Sequence, residues 1–260
     1  MLIDIVRKYL KGVIIMEYEI KNKVSAYTVA DIINNMVLIP EDKKYNHPLY
    51  LISAYQVTQA QWKAVMGNNP SYFTGEELLP VENVSWVDCR NFIDKLNQTH
   101  EVKEAGLVFR LPSINEWYKA FDLSSLDYDS LSQEERNKLV DEQGWCSENS
   151  GAVTHPVGQK KPNKRCLYDM IGNVMEWTDS FRLDNCVYFC GTYFDDEIEN
   201  FNPSIDSWFE PDEELGKQSW EEQDCRVGFR LVAEKEEDYL ARTKEVDLDG
   251  ISINCFRKNS

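Results

Sequence analysis

Seven cysteines and three histidines carry most of the capacity of this 260-residue chain for soft-metal binding and nucleophilic chemistry. The cysteines are Cys89, Cys146, Cys166, Cys186, Cys190, Cys225 and Cys255. Their number is odd and their spacings follow no disulfide framework. Cys186 and Cys190 stand close enough in sequence to suggest a pair, because two thiolates suit a soft ion. On a strand they share a face but lie ~13 Å apart at ~3.3 Å per residue, too far for one ion. A bend in the strand would bring them together. His47, His100 and His155 show none of the paired spacing of a helical metal site. Structural roles are expected for His47 and His155. Asp247-Leu248-Asp249-Gly250 begins like a calcium loop, lacks the later acidic ligands, and reads as a turn.

The elements that would position these residues are legible in places. Met36-Val37-Leu38-Ile39-Pro40 reads as a short buried strand stopped by proline, and Leu49 to Val57 as a second. Thr58-Gln59-Ala60-Gln61 is a capping box, after which Trp62, Val65 and Met66 share a helix face that Gly67 ends. Ser85 caps a helix whose Cys89, Phe92, Ile93 and Leu96 fall at i, i+3, i+4 and i+7, so Cys89 reads as a core residue and not a nucleophile. Ser113 to Glu116 is another capping box, ahead of Trp117, Ala120 and Phe121.

Residues 122–143 read as an acidic surface insertion with a helix signal at Ser132-Gln133-Glu134-Glu135, and 144–180 as one long ordered loop. Val187 to Tyr193 reads as a strand, 194–224 as a second acidic stretch, and Val227 to Val232 as a closing strand. A charged helix over 233–245 and an edge strand over 251–256 complete the chain.

The 42% hydrophobic and 12% aromatic content supports one large core. A net charge of −17 opposes nucleic acid and anionic lipid as partners. No stretch approaches the ~20 apolar residues of a membrane span. The free-thiol reading and the lack of a cleavage site near the amino terminus place the chain in the reducing cytoplasm. The run Lys11-Gly12-Val13 before Met16 admits a second start: either Met1 or Met16 begins the protein, with residues 1–15 untranslated in the latter case.

Five ordered segments then carry a resemblance: YQVTQAQWKAVMGNNPSYF at 55–73, LPVENVSWVDCRNFIDKLN at 79–97, FRLPSINEWYKA at 109–120, GWCSENSGAVTHPVGQKKPNKRCLYDMIGNVMEW at 144–177 and VGFRLV at 227–232. Together they resemble the formylglycine-generating-enzyme/sulfatase-modifying-factor domain. That family also holds iron-dependent sulfoxide synthases, pyoverdine maturation factors and the variable proteins of diversity-generating retroelements. The resemblance implies an α+β, C-type-lectin-like fold with much irregular structure over 36–232. It leaves 1–35 as an amino-terminal extension and 233–260 as a carboxy-terminal helix/strand extension. It also implies strand, turn and helix for RLPSINEW, and a structural ion-pair role for Arg230.

In the formylglycine-forming subgroup, a GGSY strand is followed by two cysteines that bind copper(I). Here the strand reads Cys190-Gly191-Thr192-Tyr193-Phe194-Asp195, so those positions fall on Asp195 and Asn200. Hard oxygen and amide groups replace soft sulfur, and copper is not expected. The three-histidine iron site of the sulfoxide synthases is not expected either.

The family's GNVWEW loop implies calcium at Asn173 and Glu176, with carbonyls from Ile171 and Val174. The alternative is that these groups hydrogen-bond the loop without an ion. Trp177, Thr192 and Tyr193 match positions of the family's substrate groove and imply an aromatic-floored pocket.

The resulting expectation is a non-catalytic, cytoplasmic binding or regulatory module for a protein or peptide. Its binding face would carry residues 178–225, with two Trp and several Tyr and Phe among acids. The alternatives are an oxidoreductase with a rearranged Cys186/Cys190 site, and a lectin-like or retroelement-variable binding protein.

Overall fold

The computed structural model describes residues 25–41, 48–122, 131–181, 187–197 and 223–240. Their elements run in the order α1 (Val29–Asn34), β1 (Met36–Ile39), β2 (Tyr50–Ser53), α2 (Gln59–Met66), α3 (Trp86–Leu96), α4 (His100–Ala105), β3 (Leu107–Arg110), α5 (Ile114–Phe121), α6 (Gln133–Gln143), β4 (Gly144–Trp145), α7 (Ser147–Ser150), β5 (Ile171–Gly172), β6 (Met175–Phe181), β7 (Val187–Cys190), β8 (Val227–Gly228) and β9 (Val232–Lys235). The fold is α+β, as expected. Cys186, His47, Asn200, Cys255, Asp247 to Gly250, the two candidate starts and the 251–256 strand lie outside the described residues.

Local sequence chemistry sets the helix starts. Thr28, Ser85, Ser113 and Ser132 each accept the N–H of an acidic residue three positions on, whose carboxylate returns to the cap's own N–H. Thr58 and Gln61 do the same with an amide. Gly67 then ends α2 at φ 82°, a left-handed position that suits glycine.

An antiparallel sheet of order β1-β2-β9-β3 forms one wall. A second sheet, β7-β6-β8, pairs β6 antiparallel with β7 and parallel with β8. A parallel β4-β5 pair stands beside them. At β3, the Asn97 side chain accepts from Phe109 N–H (2.8 Å) and donates to Phe109 C=O (2.9 Å), satisfying backbone groups that a second strand would otherwise take. The apolar side of α3 packs Phe92 against Trp62 (5.3 Å between ring centroids), and Phe229 meets both rings edge-on. Cys89 is buried in that cluster, a core residue as its spacing implied.

Several boundaries differ from the sequence reading. The folded body does not begin at 36: Ile32 of α1 is buried in the core, and Thr58 Oγ1 donates to the Ala26 carbonyl at 2.5 Å. The closing strand is two strands, because the chain leaves the second sheet at Gly228 and enters the first at Val232. Residues 233–235 therefore belong to the sheet and not to a charged helix. Residues 144–180 are not one loop. They contain β6, whose Glu176, Trp177 and Thr178 are buried in succession, so no polar alternation betrays a strand. The strand expected over 187–193 stops at Cys190, where Gly191 turns at φ 86°.

Truncating Phe92 to Ala removes the ring stacked on Trp62 and leaves a cavity in a buried site. Denaturant unfolding is expected to show a loss of about 3–5 kcal/mol.

Candidate functional site

The chemistry-bearing residues converge around one buried carboxylate. Strand β6 places Glu176 at 1% exposure, and the segment between β8 and β9 brings Arg230 against it at 0%. Arg230 Nε donates to Glu176 Oε2 at 2.6 Å and Nη2 to Oε1 at 2.7 Å, a bidentate pair. From α5, Trp117 Nε1 donates to Oε2 at 2.6 Å, and Gln56 Nε2 reaches Oε1 at 3.0 Å. The guanidinium also donates to the carbonyls of Ser53 (3.2 Å), Tyr168 (3.0 Å) and Asp169 (3.4 Å). Arg230 thus has the ion-pair role expected of it.

The expected calcium set does not assemble here. Glu176 spends both oxygens on a guanidinium, an indole N–H and an amide, which leaves a cation facing positive groups. The Val174 carbonyl accepts from Gln56 Nε2 at 2.8 Å. Asn173 points elsewhere: its Oδ1 accepts His155 N–H at 2.9 Å and its Nδ2 donates to His155 C=O at 3.0 Å. Ile171 pairs with Gly144 in the β4-β5 ladder. Asn173, Val174 and Glu176 hold the loop through these hydrogen bonds, and Ile171 through the ladder. Among the described residues, no group of three or more His, Cys, Asp and Glu is arranged to hold a metal.

The expected groove residues also separate. Trp177 is fully buried, with its Nε1 donating to the Val84 carbonyl at 2.9 Å, so it cannot floor an open pocket. Thr192 is buried too, and its hydroxyl accepts Gly172 N–H at 2.9 Å. That bond holds Gly172 where a Cβ would meet the Trp145 carbonyl at 1.8 Å, so position 172 must be glycine. Tyr193 alone of the three reaches the surface in part, with the Arg226 guanidinium 5.4 Å from its ring centroid.

Cys190 is 1% exposed, packed with Trp117 and Met170, and stands directly across the ladder from Glu176. Burial, and secondarily the Glu176 charge, push its thiol well above the ordinary range. Asp195 is exposed on the surface beyond it.

The sequence reading missed an aromatic chain that runs from the exposed Tyr72 through the half-buried Phe73 and the buried Phe194 to the half-buried Tyr193. Tyr72, 72% exposed, meets Phe73 edge-on at 5.0 Å; Phe73 meets Phe194 at 5.0 Å, and Phe194 meets Tyr193 at 5.6 Å. An exposed Tyr-Phe pair in the Asn-Asn-Pro-Ser-Tyr-Phe turn was its available signal. Nearby lie two carboxyls, Glu82 buried and Asp196 half-buried. Glu82 is pushed up to about 7 by burial, and Asp196 to about 6, also by burial. Asp169, in the interior, is likewise pushed up to about 6 by burial; its Oδ2 accepts Gly158 N–H at 2.8 Å.

Replacing Arg230 with Met strands the Glu176 charge in a dry interior. Urea unfolding is expected to show a loss of about 3–5 kcal/mol, and adding Glu176→Gln to recover part of it.

Residues 19–235 match the Sulfatase-modifying factor enzyme 1-like domain. The chaperone protein LppX of Paenibacillus barcinonensis is 31% identical over 179 residues, covering 52% of this chain and 64% of that relative's length. Treponema denticola variable protein 1 superimposes with a TM-score of 0.54 at 24% identity, covering 76% of this chain and 91% of that one. PvdO from Pseudomonas aeruginosa gives 0.53 at 17%, covering 76% and 90%. These two structures share the fold. With 19–235 matched, the chain belongs to the family of sulfatase-modifying factor enzyme 1-like domains.

Proposed function

We propose that this chain is a non-catalytic member of its family that binds a protein or peptide. The observation that carries the reading is the state of Cys190. A reactive thiol needs partial exposure and a positive neighbourhood. Cys190 has neither, being buried opposite the Glu176 carboxylate. The position that the resemblance assigns to the first copper-binding thiol holds Asp195, a hard ligand at the surface. A rearranged site with Cys186 would have to draw Cys190 out from beside Trp117.

The binding half of the reading rests on the exposed Tyr72, with the half-buried Phe73 and Tyr193 beside it and the buried Phe194 joining those two rings from below. Aromatic side chains at a surface supply large contact area with few torsions to freeze, and they anchor peptide interfaces. The relative LppX bears the name of a chaperone protein, which fits a polypeptide ligand. A cytoplasmic location belongs to the same proposal. The described cysteines Cys89, Cys146, Cys166, Cys190 and Cys225 are free thiols, the state a reducing compartment maintains. Among the described residues, no helix is long and apolar enough to cross a membrane.

Anaerobic copper(I) titration should show no tight stoichiometric complex. A tight complex that Cys190→Ser abolishes would overturn the non-catalytic reading. For the binding half, fluorescence anisotropy with reduced, carboxymethylated α-lactalbumin is the probe. Wild-type chain should bind it, and Tyr72→Ala should weaken binding about tenfold, as loss of an aromatic anchor does. Equal binding by both would remove Tyr72 from the interface.

A further inference from the structure

The turn that carries Tyr72 and Phe73 is held down by polar side chains more than by apolar packing. Gln59 Nε2 donates to the Phe73 carbonyl at 2.7 Å, Asn69 Nδ2 donates to Gln59 Oε1 at 2.8 Å, and Asn83 Nδ2 donates to the Pro70 carbonyl at 3.0 Å. The innermost anchor is Glu82. Its Oε1 accepts Phe73 N–H at 2.8 Å, and its own N–H reaches Ser71 Oγ at 3.3 Å.

Glu82 is 0% exposed, and its Oε2 is buried with no hydrogen-bond partner among the described residues. An ionised carboxylate oxygen with neither water nor donor is costly. The groups facing it offer no charge compensation. Asp224 adds a second negative charge, Cys225 adds only a thiol, and the Phe73 and Tyr72 amides are the groups that favour ionisation. The Arg226 guanidinium is engaged by Asp224, its Nε lying 2.9 and 3.0 Å from the two carboxylate oxygens. On the far side, Phe73 packs on Phe194, where Asp196 accepts Tyr193 N–H at 3.0 Å; Arg226 and Asp195 are the charges facing Asp196.

We propose that Glu82 is a proton-dependent latch on the 69–73 turn: neutral, it lies dry beneath the turn, and ionised, it draws water to its unpartnered oxygen and the turn lifts. The direction follows from linkage. In the closed form burial raises the Glu82 carboxyl to about 7, against an ordinary value of 4.5 that a lifted, hydrated turn restores. A raised acid favours the closed form fully below the ordinary value, and that advantage is lost as pH rises through about 7. The latch thus releases Tyr72 and Phe73 as pH rises from the acid side to neutrality, whether or not they contact a ligand.

Hydrogen exchange of the whole chain, read by mass spectrometry on peptides spanning 69–75, tests this. After correction for intrinsic exchange, opening at Phe73 should rise about tenfold between pH 6 and pH 8. In Glu82→Gln that rise should vanish. A flat corrected profile in the wild type, or the same rise in the Gln variant, overturns the latch. Should Glu82→Gln not fold, Asp224→Asn removes the facing negative charge and should move the rise to lower pH. An unmoved rise would equally overturn it.

Discussion

One buried ion pair fixes how the pieces of this protein meet. Glu176 and Arg230 lie wholly away from water, where each charge alone would cost several kcal/mol. Their attraction repays that cost only because the remaining valences are met. Trp117 and Gln56 supply donors to the carboxylate, while Ser53, Tyr168 and Asp169 supply carbonyls to the guanidinium. The seven partners come from five parts of the chain: β6, the β8–β9 crossing, α5, the end of β2 with the residues after it, and the turn before β5. An apolar pair of the same size would fill the volume without choosing an arrangement. The directional bonds admit one placement of the two sheets and the helix between them.

The crossing segment shows how the sequence achieves this. Phe229 and Leu231 face the apolar core, while their carbonyls accept Val57 and Ser53 N–H, so pairing continues across the gap between sheets. Arg230, between them, points the opposite way by strand alternation and reaches Glu176. Gly228 comes within 2.4 Å of the Val81 carbonyl at its would-be Cβ, so the strand can pass there only as glycine.

Much of this was legible in the residues. Capping boxes at Thr58 and Ser113 announced their helices, and the Cys89-Phe92-Ile93-Leu96 spacing announced a core face. The exchange of sulfur for oxygen at Asp195 could be read without coordinates. Other features were hidden for physical reasons. Strand β6 is buried on both faces and so shows no alternation. The six-residue α4 is too short to develop a stripe. The role of Glu176 stayed open between two readings because a carboxylate that binds an ion and one that accepts from a guanidinium look alike in sequence. Only the arrival of Arg230, 54 positions later, separates them. Trp177 and Thr192 could not be told from groove residues because burial is decided by distant neighbours, Val84 and Gly172.

The same ion pair bears on what the protein can do. Cross-strand register sets Cys190 opposite Glu176, so this buried sulfur faces a carboxylate that the fold cannot spare. Making that thiol reactive would require exposing it and reversing the local charge, and either step would disturb the contact that joins the sheets. The 69–73 turn lies apart from this contact, anchored by Gln59, Glu82 and Asn83. On the proposed non-catalytic reading, stability and thiol chemistry compete at position 190, and the buried pair favours stability.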